Sequence, residues 1–123
     1  MILLDTSAVI HLLNGTQKGS LLKTKLSGQV ICVSPVTVYE VLRGARENEQ
    51  EATCLFFDSI EKKVFDEKIA KESVHLEKIL LKKGVAVSMI DLFIAATCLV
   101  HNIPLATTDD DFLRIREIKI IST

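Results

Sequence analysis

Four carboxylates, Asp5, Glu40, Asp91 and Asp109, carry the chemistry this chain could perform. Asp5 directly follows the apolar run Ile2-Leu3-Leu4, and Asp109 follows a second run that ends at Thr107. In an open parallel sheet, ligands bind beyond the carboxyl ends of the strands, where the strand order reverses. Both acids therefore occupy productive positions, although each also fits a helix N-cap or turn. Asp91 shares a helix face with Ile94, Ala95 and Cys98 on a segment with almost no polar side, so its carboxylate faces desolvation. Ser88-x-x-Asp91 also fits a capping box, and a first-turn acid can cap its helix and still point at a cation. Glu40 is the reverse case. Its helix turns Val38, Val41, Leu42 and Ala45 toward the core and leaves Glu40 roughly opposite, which on amphipathicity alone is a solvent position.

If the four converge at one end of a sheet, each pair of anions about 4 Å apart costs on the order of 4 kcal/mol at an effective dielectric near 20. Either some are protonated or a cation neutralises them. An all-oxygen set without paired cysteine or histidine selects a hard ion, Mg²⁺ or Mn²⁺. Such an ion keeps several waters, acidifies one of them, and offsets charge on a phosphodiester under in-line attack. Hydrolysis of a phosphate bond is the chemistry that fits best.

The elements that must position these acids can be read from periodicity. Ile2 to Leu4, Val30 to Val33, Lys63 to Phe65, Pro104 to Thr107 and Ile118 to Ile121 read as strands. Between them, helices are expected from Asp5-Thr6-Ser7 to Asn14-Gly15, over Ser20 to Leu26, and from Pro35 to about Ala45. Further helices are expected over Glu47 to Ile60 on Ala52, Leu55, Phe56 and Ile60, and from Asp66 to Gly84 on Ile69, Val74, Leu76, Ile79 and Leu80. The last runs from Ser88 to His101, with a helical turn at Asp110 to Arg114. Strands alternating with helices predict a single α/β/α sandwich domain around a mostly parallel, roughly five-stranded sheet.

Bulk properties set outer limits. At 123 residues, 48% hydrophobic and 25% charged, the chain has an ordinary globular composition and can build a core without staples. The longest strongly apolar stretch, Met89 to Val100, contains Asp91 and falls short of the roughly 20 residues that cross a bilayer. With no basic leader at the start, cytoplasmic residence without membrane attachment is the expectation. Cys32, Cys54 and Cys98 lack Cys-x-x-Cys spacing and read as small buried hydrophobes, while His11, His75 and His101 read as surface or capping residues. Fifteen basic residues face sixteen acidic ones; setting aside Asp5, Glu40, Asp91, Asp109 and Asp111 leaves a surplus of four positive charges elsewhere, compatible with a polyanionic partner.

At these residues the sequence resembles the PIN-domain ribonucleases, and among them the VapC-type toxins. The matching segments are Ile2-Leu3-Leu4-Asp5-Thr6-Ser7, Ser34 through Gly44, Asp91-Leu92-Phe93-Ile94-Ala95-Ala96, and Pro104 through Phe112. The resemblance implies that Asp5, Glu40, Asp91 and Asp109 bind one or two Mg²⁺ or Mn²⁺ ions, with Asp5 and Asp91 the principal ligands. Thr6, Ser7 and Thr107 match hydroxyl positions that orient carboxylates or water, Ser7 standing where asparagine is frequent. The last motif satisfies a Thr-x-Asp pattern in two registers; Phe112 favours Asp109 as the ligand and Asp111 in support. Implied further are cleavage of structured RNA such as tRNA or ribosomal RNA, a homodimer, and a cognate antitoxin. Arg43, just beyond Glu40, is placed to contact phosphate. An RNA-maturation nuclease without an antitoxin would use the same chemistry. A phosphoacceptor signalling domain fits less well, because only Asp5 follows the first strand and Thr107-Thr108 stands where a strand-end lysine would be.

Overall fold

Ile2-Leu3-Leu4 forms the central strand of a five-stranded parallel sheet in a computed structural model that describes all 123 residues. The chain runs β1 (Ile2–Leu4), α1 (Thr6–Asn14), α2 (Gln17–Lys25), β2 (Ile31–Val33), α3 (Pro35–Gly44), α4 (Gln50–Asp58), β3 (Glu61–Lys62), α5 (Glu67–Lys82), α6 (Met89–His101), β4 (Leu105–Ala106) and β5 (Ile120–Ile121). Short 3₁₀ turns lie at Glu47–Glu49 and Asp110–Arg114. Strand order is β3-β2-β1-β4-β5, so the order reverses between β1 and β4.

The pleat of the short strands divides the core in two. Leu3, Cys32 and Leu105 face one side, where they pack with Leu76 and Leu80 of α5 and Leu92, Ala95 and Cys98 of α6. Ile2, Leu4, Val33 and Ala106 face the other, against Ala8 and Val9 of α1, Leu22 of α2, Val41 of α3 and Phe57 of α4. Both faces of β1 are thus covered, as its continuous apolar run requires. Each fully buried leucine contributes about 1.5–3 kcal/mol. No helix is long and apolar enough to cross a membrane.

Caps set most helix starts. Asp5, Ser34, Asp66 and Ser88 each accept a backbone N–H of the first turn, and Pro35 occupies the first position of α3. Gly15 ends α1 in the left-handed region at φ 61°, which costs glycine nothing.

Several expected boundaries and faces move. The third strand is Glu61–Lys62 rather than Lys63 to Phe65, because β2 is only three residues long and its last carbonyl, on Val33, takes the Lys63 N–H. Val64 and Phe65 lie beyond the ladder, and Phe65 packs on Phe93 with ring centroids 4.5 Å apart. Polar residues suit β3 because it is an edge strand. Helix α2 begins at Gln17, not Ser20, because Thr16 caps it by accepting the Gly19 N–H at 3.0 Å. On α4 the buried residues are Thr53 and Phe57, leaving Ala52 and Leu55 in solvent, and on α5 Ser73 is buried while Val74 is exposed. A hydroxyl explains each buried polar residue: Thr53 donates to the carbonyl of Glu49 in the turn that leads into α4, Ser73 donates to that of Ile69 within α5, and both enter the core satisfied. Cys32 and Cys98 are buried, but Cys54 is on the exposed face of α4.

The α1–α2 hairpin is closed by a backbone contact. A Cβ on Gly19 would fall 2.1 Å from the His11 carbonyl oxygen. Gly19→Ala should therefore destabilise the protein by about 1–3 kcal/mol through overpacking, against the gain of up to about 1 kcal/mol that alanine brings in an unobstructed helix. Chemical denaturation reads the sign directly, and an alanine variant more stable than the parent would contradict the close approach.

Candidate active site

The β1–β4 register pairs Leu3 with Leu105 and Leu4 with Ala106, so the next position along sets Asp5 beside Thr107. Both share the parity of Leu3 and Leu105 and point to the face covered by α6. There the Thr107 hydroxyl donates to Asp5 Oδ2 at 2.6 Å. Ser7 Oγ donates to Asp5 Oδ1 at 2.8 Å, and the Ala8 N–H donates to the same oxygen at 2.9 Å. With both hydroxyl protons committed to the carboxylate, the 3.2 Å approach of Ser7 Oγ to Thr107 Oγ1 is a contact without a proton of its own. The two hydroxyls instead accept backbone N–H groups, Ser7 from Thr108 and Thr107 from Asp109, each at 3.0 Å. Asp5, only 5% exposed, is thereby fixed by three donors.

A pocket of about 300 Å³ opens over this arrangement, lined by Asp5, Thr6, Ser7, Glu40, Asp91 and Asp109 together with the apolar side chains of Ile10, Ile90, Ile94 and Phe112. Helix α1 brings Thr6 and Ser7, α3 brings Glu40, α6 brings Asp91, and the turn after β4 brings Asp109. Glu40 is half-buried rather than in open solvent, and Thr6 Oγ1 donates to its Oε1 at 2.6 Å. Asp91 is half-buried, and its backbone N–H donates to Ser88 Oγ at 3.2 Å, which is the N-cap half of the expected capping box. Asp109 caps the following 3₁₀ turn, its Oδ1 accepting the Asp111 N–H at 2.9 Å. Asp111 is exposed and outside the pocket lining. Arg43 is also exposed, one turn along α3 from Glu40. Ile10, Ile90, Ile94 and Phe112 were not among the expected site residues, because an apolar side chain at a pocket wall has no signature in the sequence that separates it from one in the core.

Burial pushes the Asp5 carboxyl above the ordinary aspartate value of 3.8; the bonds from Thr107, Ala8 and Ser7 oppose the shift, and the charge of Asp109 adds to it. Asp91 is raised as well, first by burial, with Ser88 opposing and the charges of Asp109, Asp5 and Asp111 adding. Asp111 thus acts on the cluster at a distance. Two carboxyls held above their free value, in a pocket lined by further acids, describe a site short of positive charge. No three His, Cys, Asp or Glu side chains close into a ready-made cage. The donors are all oxygens spread around the pocket wall. That suits a hard divalent ion that keeps much of its water better than a dehydrated one.

The raised carboxyls carry a stability consequence. A carboxyl whose folded-state pKa exceeds its unfolded value binds more protons in the folded protein, so its contribution is full below pH 3.8 and is lost as pH rises through the folded pKa. Asp91→Asn removes that loss. In chelator at neutral pH, its melting temperature should exceed the parent's, the difference closing as the pH is lowered toward the ordinary aspartate range. Melting curves across this range test it; a difference that grew on acidification would reverse the sign.

Residues 2–118 match the PIN domain family. Ribonuclease VapC1 of Methanocaldococcus jannaschii is 32% identical over 118 residues, covering 94% of this chain and 82% of that protein. Among solved structures, VapBC2 from Rickettsia felis, bound to a DNA fragment from its promoter, superposes with a TM-score of 0.82 at 20% identity, covering 100% of this chain and 99% of the other. A toxin–antitoxin complex from Klebsiella pneumoniae gives 0.80 at 24% identity, covering 98% and 96%.

Proposed function

Since this chain belongs to the PIN domain family, among the VapC ribonucleases of toxin–antitoxin systems, we propose that its acidic pocket is a Mg²⁺- or Mn²⁺-dependent centre that hydrolyses RNA phosphodiester bonds. Asp5 and Asp91 are the principal ligands, and Glu40 and Asp109 complete the set directly or through water. The observation that carries this reading is that Asp5, Glu40, Asp91 and Asp109, far apart in sequence, line one pocket, where burial raises the carboxyls of Asp5 and Asp91. A divalent ion bound there supplies charge that offsets the phosphodiester's own and acidifies an attacking water.

The chain's own groups do the rest. Thr107 and Ser7 hold Asp5 in one orientation, and Thr6 holds Glu40. Asp109 spends one oxygen on its turn and keeps the other for the pocket. Asp111 adds negative charge from outside the pocket. Ile10, Ile90, Ile94 and Phe112 form a wall of low polarity, which strengthens every charge interaction beside it.

Structured RNA, with tRNA and ribosomal RNA the first molecules to assay, is the proposed substrate, and a cognate antitoxin the proposed regulator. Structural neighbours that are toxin–antitoxin complexes support the latter. So do Ile10, at the pocket wall, and Leu13, exposed apolar residues of α1 that a partner would cover. Exposed Leu55 on α4 and Val74 and Leu81 on α5 offer surface to the second copy of a homodimer. Three unpaired cysteines accord with action in the reducing cytoplasm.

Purified protein should cut RNA internally with Mg²⁺ or Mn²⁺ and lose the activity in chelator. Asp5→Asn and Asp91→Asn should each lower the rate by more than about 100-fold, and Thr6→Val, which only frees Glu40, by about 10-fold. Cleavage that persists unchanged in both aspartate variants would refute the assignment.

A further inference from the structure

Tyr39 is 60% exposed on α3, immediately before Glu40. Its ring contact is the guanidinium of Arg43, 5.5 Å from the ring centroid. The other aromatic rings have apolar partners, Phe56 with Phe57, Phe65, itself half exposed, with Phe93, and Phe112 in the core. Arg43 has no acidic partner, since the ion pairs of the molecule are Lys63–Glu61, Lys71–Glu67 and Lys83–Glu117. Helix spacing places Arg43 next to both Tyr39 (i+4) and Glu40 (i+3), with side chains about 5–6 Å apart at Cβ. An exposed aromatic ring, a guanidinium on it free of any carboxylate, and a pocket carboxylate therefore follow one another across one stretch of helix surface.

Each part matches what a single-stranded polynucleotide presents. An unpaired base stacks on an aromatic ring or on an arginine plane, and a backbone phosphate needs a cation. The need is sharper here than at a basic surface, because the pocket next door is lined by acids that repel phosphate. We infer that Tyr39 and Arg43 form an RNA-positioning platform beside the pocket, Tyr39 stacking an unpaired base that flanks the scissile bond and Arg43 holding the adjoining phosphate. The inference rests on the ribonuclease reading of the pocket and deepens it. It names the form of RNA favoured, a strand with an unstacked base next to the cut, and makes both residues positioning rather than catalytic groups.

The chain has one tyrosine and no tryptophan, so its tyrosine emission reports Tyr39 alone. Full-length Asp5→Asn protein in Mg²⁺ would be titrated with a single-stranded oligoribonucleotide. Saturable quenching, corrected for absorbance by the RNA, is expected, and much less with the same sequence as a duplex. Bound RNA, seen by anisotropy, that leaves the emission unchanged would overturn the platform. In cleavage assays with an otherwise unaltered active site, Tyr39→Ala should raise KM about tenfold while kcat changes little, and Tyr39→Phe should preserve KM. Arg43→Gln should raise KM and flatten its dependence on salt. A Tyr39→Ala variant with the parent's KM overturns the inference. If that variant instead alters subunit association in sedimentation with KM intact, Tyr39 belongs to a protein interface, and the platform is equally refuted. Failure of the parent protein to cut any RNA with Mg²⁺ or Mn²⁺ would be a different result. It would sink the ribonuclease reading itself, and the platform with it.

Discussion

The burial of Asp5 is the constraint around which the site is built. An ionised carboxylate taken out of water without partners costs several kcal/mol, about as much as a domain has to spare. The sheet meets that cost through register. Because β1 and β4 are parallel neighbours with Leu4 opposite Ala106, the residue after each strand lands beside its counterpart, and a threonine at 107 becomes a hydrogen-bond donor to an aspartate 102 positions earlier. Slipping the pairing by one residue would turn Thr107 to the opposite face and leave Asp5 without its shortest bond. The same hydroxyl accepts the Asp109 N–H, so the group that fixes the first acid also fixes the backbone of the fourth.

Much of this was legible in the chain because it follows from short-range rules. The β1 run is apolar because it is covered twice, and Asp5, Ser34, Asp66 and Ser88 mark helix starts by what their side chains accept. Asp91 could be singled out because a lone acid on an otherwise apolar helix has few explanations, and the half-buried carboxyl with its raised pKa is the physical form of that anomaly. What resisted reading was set by tertiary partners. Lys63-Val64-Phe65 has the composition of a strand, but only Lys63 finds a ladder partner, and the aromatic ring takes a neighbour on α6 instead. On α4 and α5 a threonine and a serine occupy core positions that a hydrophobic count would give to Leu55 and Val74, since local bonds to their own helices remove the penalty for burying a hydroxyl.

Glu40 shows where periodicity reaches its limit. The wheel of α3 turns Val41 to the core as expected, although Thr37 rather than Val38, Leu42 or Ala45 is the other fully buried residue, and Glu40 faces away from them, which here means toward the pocket wall. A helix beside a cleft has three surroundings rather than two, and amphipathicity distinguishes only apolar from polar. Thr6, which donates to Glu40, lies 34 residues earlier, a separation that no local pattern reports. The position of Glu40 in the site was therefore legible only through motif resemblance.

The position of the acids as helix caps is compatible with the cation-ligand role proposed for them. In a parallel α/β fold, a helix that follows a strand, as α1 does, and a helix that leads into the next parallel strand, as α6 does, both begin at the carboxyl pole of the sheet, so their N-termini gather there. Asp5 caps α1, Asp91 stands in the first turn of α6, and Asp109 caps the 3₁₀ turn after β4. The positive ends of the two α-helices oppose the mutual repulsion of the carboxylates by roughly 0.3–1 kcal/mol each when solvent-exposed, and more where water is excluded. Backbone N–H groups can do this without placing a lysine or arginine in the pocket, and a resident cation there would neutralise the charge that a divalent ion needs. Capping is thus how the fold tolerates an acidic cluster while keeping it acidic. Burial still outweighs these opposing bonds and holds the carboxyls of Asp5 and Asp91 above the ordinary aspartate value, and under the proposed reading a divalent cation would relieve the remaining excess of negative charge.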